Sequence, residues 1–171
     1  MKTITRSRIY VPVAAMILTV VLAIPAAAQQ QVPFKGAFQG KDCNATQNTG
    51  CSPVNSPTLD TSGTGTGTHM GEFSLTQQTN LATFSGSAHW VAVNGDSIDS
   101  TFVAFPDFST QSLGYITVTE RHTITVGTGR FAGAKGWFKL DRTHIVAFSA
   151  DGTHVTFGSF DGTITPPGAA H

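Results

Sequence analysis

Apolar and polar residues alternate in short runs along most of the chain, and Gly, Asn, Asp and Pro separate the runs. Period-two alternation is the mark of a strand with one buried face, because successive side chains point to opposite sides. The pattern predicts strands near 34–40, 64–77, 81–93, 97–105, 112–126, 130–141, 143–149 and 153–164. Asn94-Gly95-Asp96 and Asp151-Gly152 supply hairpin turns, since Gly accepts the positive φ those turns require. Gly127-Thr128-Gly129 marks a further tight connection. No long stretch carries helical periodicity. Eight strands joined mostly by short turns point to an all-β domain, a single antiparallel eight-stranded up-and-down barrel, whose closure removes exposed edges. A two-sheet β-sandwich is the alternative.

Two segments break the rhythm. Residues 1–28 have a basic start (Lys2, Arg6, Arg8), an apolar run from Ile9 to Ile24 and the small-residue ending Ala26-Ala27-Ala28. That order is the one of a cleaved secretory signal peptide of bacterial type, which predicts export to the periplasm or the extracellular space. Pro12 interrupts the apolar run, which falls short of the roughly 20 residues a membrane span needs. No membrane span is expected after cleavage. Residues 41–63 are polar, contain Pro53 and Pro57, and read as a long loop capping one end of the barrel. The barrel domain is thus expected over 29–165, with 166–171 as a tail.

Composition sharpens this division. The 171 residues hold ten basic and ten acidic side chains, 18 Gly and 12 Phe, with only 12% charged residues. All three leader cations leave with the signal, so the remaining chain carries net −3. A weakly acidic domain with no basic block offers no electrostatic footprint for nucleic acid. Cys43 and Cys51 are the only cysteines. In an oxidising compartment an even pair reads as a disulfide, and two Cys without a neighbouring His make a poor zinc site.

Several motifs add a resemblance. Pro33-Phe34-Lys35-Gly36 opens the domain, and Gly65-Thr66-Gly67-Thr68-His69-Met70-Gly71-Glu72-Phe73 and Val93-Asn94-Gly95-Asp96 follow. Most specific is the run from Glu120 to Gly136, ERHTITVGTGRFAGAKG. Together these resemble a group of exported bacterial β-barrel proteins without an assigned activity. The last run also resembles the G-x-G-x-F-x-G-x-x-G hairpin of plant allene oxide cyclases and, more loosely, of dirigent proteins. Val126 stands where that pattern usually has a further Gly. The resemblance implies a barrel of the cyclase–dirigent type with a central cavity, often a homotrimer, and carries over no activity. Physically, Gly127 and Gly129 permit a sharp turn, Phe131 plugs the core, and Gly133 and Gly136 allow close approach or a bulge. A phosphate loop would need a following helix, whereas Phe131 to Leu140 reads as strand.

Strand parity singles out candidate chemistry. Ile116, Val118, Glu120, His122, Ile124 and Val126 share one face, so Glu120 and His122 are expected inside the barrel among apolar neighbours. A buried carboxylate must be paired or protonated. Glu120 and His122 are therefore candidate catalytic residues, a general acid–base pair, or else a structural cluster in which Glu120 bonds Arg142 or a hydroxyl on another strand. His69, by parity with Phe73 and Leu75, is expected to point inward; His144 shares a face with Val146 and Phe148. His69, Trp90 and Arg142 are the candidate ligand contacts. His69, His89, His122, His144 and His154 show no i, i+2 pair on one strand, so no metal site is read. No cofactor motif, no G-x-S-x-G elbow and no C-x-x-C pair is present. The expectation is an exported, non-enzymatic barrel binding a small apolar ligand. An isomerase or cyclase-like enzyme using Glu120 and His122, and an interaction barrel with a filled interior, are the alternatives.

Overall fold

The computed structural model describes residues 30–44 and 57–168. It is a closed antiparallel barrel of eight strands in sequence order, which excludes the sandwich. The strands are β1 (Val32–Asn44), β2 (Thr58–Gly67), β3 (Gly71–Asn80), β4 (Ser85–Ala92), β5 (Ser97–Asp107), β6 (Tyr115–Gly127), β7 (Gly136–Phe148) and β8 (His154–Ile164). β8 pairs with β1 from Val32↔Ile164 to Asp42↔His154 and closes the cylinder. The signal peptide expected over 1–28 lies outside the described residues. So does Cys51, and with it the expected Cys43–Cys51 bridge.

The expected strands need three corrections. The run 64–77 is a hairpin, in which β2 ends at Gly67 and β3 starts at Gly71. Thr, Ser and Gly continue on both sides of that turn, so hydropathy shows no break there. The runs 130–141 and 143–149 contain one strand, β7, preceded by a short 3-10 turn at Gly129–Phe131. The split and the merger cancel, and the total of eight survives. Finally, β1 continues to Asn44 and β2 begins at Thr58, so both ends of the expected 41–63 loop are strand. Their polar residues escape a hydrophobic pattern because the barrel interior they face is itself polar: Asp42 and Thr61 are both buried.

The turns expected from Gly are in place. Gly95 and Gly152 have φ of 87° and 77°, and the Asn94 amide bonds Asp96 Oδ2 at 2.7 Å across the first turn.

The interior has two unlike halves. At the end carrying the β2–β3, β4–β5 and β6–β7 turns, Phe34, Phe73, Trp90, Phe131, Phe138 and Phe160 pack into one buried cluster. Their rings meet at centroid distances such as 5.3 Å for Phe34–Phe138 and 5.4 Å for Trp90–Phe160, mostly edge-on or tilted, as aromatic quadrupoles prefer. The β8–β1–β2 wall leaves room for them by presenting Gly inward: a Cβ on Gly36 would stand 2.5 Å from the Phe160 ring. Phe131, in the β6–β7 connection, is fully buried and plugs this end as expected. The opposite end, where β1, β3, β5 and β7 finish, is hollow.

Candidate functional site

A cavity of about 410 Å³ occupies the hollow half of the barrel. Leu59, Phe84, Ala104, Ile116, Val146 and Phe148 supply much of its apolar wall, and Glu120, Arg142, His144 and His154 are its ionisable lining. An eight-stranded barrel is just wide enough either to be filled by its own side chains or to hold one small ligand. This one does each in a different half.

The floor of the cavity is a buried polar network between the two halves. Period-two alternation on β6 turns Glu120 and His122 inward, as expected, and both side chains are fully buried. Glu120 Oε2 lies 3.0 Å from His122 Nε2, and Gln77 on β3 donates its amide to both carboxylate oxygens at 3.0 and 3.1 Å. Arg142 on β7 stands with Nε 3.2 Å from Glu120 Oε1. That contact is a charge pairing without hydrogen-bond alignment. Arg142 Nη1 donates to Asp42 Oδ1 at 3.2 Å and to Thr61 Oγ1 at 3.1 Å, tying β7 to β1 and β2. Gly158 on β8 makes space beside the arginine, since a Cβ there would lie 2.8 Å from the Arg142 Cα.

The charges of this network follow from its partners. Burial pushes the Glu120 carboxyl up, but Arg142, His122 and Gln77 together outweigh it and hold the group below its ordinary value. Burial likewise pushes Asp42 up, and Arg142, His144 and Thr61 bring it down on balance. Burial alone would lower the Arg142 pKa, yet the two carboxylates raise it. For His122, burial dominates and lowers the pKa. A neutral His122 fits its neighbours. Its Nε2–H donates to the Glu120 carboxylate, its Nδ1 accepts from Ser100 Oγ at 3.0 Å, and Ser100 Oγ accepts from Trp90 Nε1 at 3.3 Å.

The site residues expected from sequence separate here into three groups. Glu120 and Arg142 line the cavity. His122 does not; it is stacked between Phe138 at 4.5 Å and Phe102 at 4.8 Å. Trp90 is fully buried in the aromatic cluster, in contact with Phe73, Phe138 and Phe160, and is a core residue rather than a cavity contact. His69 is corrected outright: it sits in the exposed β2–β3 turn with φ of 65°, because the chain reverses where a continuous strand was expected. Val126 also leaves its expected face. The pairing with β5 slips between Asp99 and Ser100, an extra residue on β6 reverses the alternation, and Val126 is 53% exposed.

Asp42 and the convergence of His144 with His154 escaped the sequence. Asp42 falls in the segment read as loop, and the two histidines meet only across the β7–β8 ladder, with ring centroids 4.6 Å apart. The available signal was His144 sharing a face with Val146 and Phe148, both of which line the cavity. Among the described residues no group of three or more His, Cys, Asp or Glu side chains could hold a metal ion.

Architecture and site together define a class: an up-and-down β-barrel with one aromatic-packed end and one hollow end over a charged floor. No known protein family matches the chain, and no curated protein matches it.

Proposed function

We propose that this protein is an exported, non-enzymatic barrel that binds one small, largely apolar molecule in the hollow half of its interior. The cavity of about 410 Å³ carries the reading. It falls within the roughly 300–1,000 Å³ range of small-molecule pockets and joins apolar walls to a few converging polar groups, the usual composition of such sites. Export rests on the leader at 1–28 and predicts a mature chain starting at Gln29. A cavity of this size weighs against an interaction barrel with a filled interior.

Catalysis by Glu120 and His122 is less well supported. An acid–base pair must reach the atom it protonates or deprotonates. His122 is enclosed by two phenyl rings and tied at both nitrogens, and Glu120 is held ionised by its neighbours. The pair braces the cavity floor.

Titration with the neutral fluorophore N-phenyl-1-naphthylamine tests the proposal. Saturable enhancement with one site per chain is expected. Ala104→Trp and Val146→Trp, which fill the cavity from two strands, should remove it while far-UV circular dichroism is unchanged. Absence of saturable binding to the unaltered chain, or undiminished binding to both variants, overturns the reading.

A further inference from the structure

The cavity has a chemically distinct corner at β7 and β8. His144 Nδ1 lies 2.6 Å from Asp42 Oδ2, and His154 Nδ1 lies 3.1 Å from the carbonyl oxygen of Ile145. A carboxylate and a carbonyl only accept hydrogen bonds, so each imidazole carries a proton on Nδ1. The local fold creates this arrangement. Between His144 and Phe148 the β7–β8 register slips, and the Ile145 carbonyl that receives His154 lies inside the slip. Phe148 packs against His154 with the ring centroids 4.3 Å apart and the planes tilted by 38°.

Both Nε2 atoms are then the free ends of oriented rings. Neither has a partner among the described residues. The sealed, unpartnered side-chain polar atoms are Thr58 Oγ1 and Arg142 Nε alone among those residues, so both Nε2 atoms keep accessible surface, and both histidines line the cavity. With Nδ1 carrying the proton, a neutral ring has its lone pair on Nε2, and the two rings lie 4.6 Å apart.

We propose that His144 and His154 are the polar recognition element of the cavity, and that its occupant is a neutral, largely apolar molecule bearing a hydroxyl group. This rests on the ligand-binding reading above and adds the ligand's class. A hydroxyl donates its proton to such a lone pair. A ligand carboxylate would add a third negative charge beside the buried Asp42 and Glu120 carboxylates. A purely hydrocarbon ligand would cover the imidazole nitrogens without giving them a partner, which costs binding free energy.

Competition against N-phenyl-1-naphthylamine separates this idea from the general one. 2-Naphthol and 2-methoxynaphthalene share the ring system and differ in whether the oxygen can donate. The naphthol is expected to displace the probe at about fivefold lower concentration or better, the effect of one net hydrogen bond. The double variant His144→Phe/His154→Phe keeps aromatic rings at both sites. The naphthol's advantage, read as the ratio of the two displacing concentrations and not as fluorophore affinity, should fall to about one in it and shrink in His154→Phe alone, which leaves the Asp42–His144 pair in place. Equal displacement by both compounds, or an advantage that survives the double variant, overturns the histidine proposal while fluorophore binding stands. Failure of the fluorophore to bind the unaltered chain overturns the cavity reading itself.

Discussion

Arg142 on β7 and Glu120 on β6 face each other at 3.2 Å with side chains 3% and 0% exposed, so a full ion pair is enclosed within the barrel. Asp42, on the far side of the guanidinium at 3.2 Å, makes it a triad that joins β1, β6 and β7. Removing one member of a buried ion pair leaves an uncompensated charge, which is far costlier than the pair's own net worth. Arg142→Met is therefore expected to lower stability by about 3–5 kcal/mol in urea unfolding. Adding Glu120→Gln to that variant should recover part of the loss. Strict additivity of the two substitutions would mean that the charges do not interact.

Acid should weaken the fold in two stages. His122 has a lowered pKa in the folded chain, so below its ordinary value near 6.5 the unfolded state binds the proton first. Its contribution is complete above that pH and declines as the pH falls through it. Asp42 and Glu120 are also lowered, from ordinary values near 4. Their contribution is complete above that value and is lost as the pH drops towards their folded pKa values. Urea midpoints measured from pH 8 to pH 3 should thus fall first below about 6.5 and again below about 4. His122→Gln should flatten the first decline, by at most about 1.4 kcal/mol per pH unit, and leave the second. An unchanged slope between pH 5 and 6.5 would contradict the buried, neutral histidine.

The two ends of the barrel should respond independently. Phe131→Ala empties a fully buried position in the packed half and is expected to cost about 3–5 kcal/mol. The cavity is lined by other residues. Where the variant is still folded, its affinity for N-phenyl-1-naphthylamine should match the unaltered chain within about twofold. A large affinity loss in folded protein would show that the aromatic plug shapes the cavity.

The proposed export and an even cysteine pair predict that Cys43 and Cys51 are joined in protein recovered from its own compartment. Intact mass spectrometry without reductant should give a mature chain starting at Gln29 and two hydrogens lighter than its reduced form. Alkylation of both thiols without prior reduction would exclude the bridge.

How much of this was legible beforehand depended on how far apart the interacting residues lie along the chain. Alternation on β6 sufficed to turn Glu120 and His122 inward, since parity is a local property of an extended strand. It failed at Val126, where a bulge set by pairing with β5 reverses the face, and at His69, where Gly and Thr on both sides conceal a turn. The strand count held although one expected strand was two and two were one. The count of eight came out through two errors that cancel, so alternation located the strand-forming stretches and missed where one strand ends and the next begins.

The sequence by itself determined the all-β class and the interior placement of the β6 pair, and favoured a barrel over a sandwich without deciding between them; closure was decided by the pairing of β8 with β1. Tertiary structure alone decided which half of the interior is filled and which is hollow. It also decided that Asp42 and Arg142 meet 100 residues apart, and that His144 and His154 converge across a slipped ladder. The physical reason is the geometry of a closed sheet. Each strand contributes one side chain per layer, so the contents of a layer depend on the register of all eight strands, and no local stretch of sequence encodes that register.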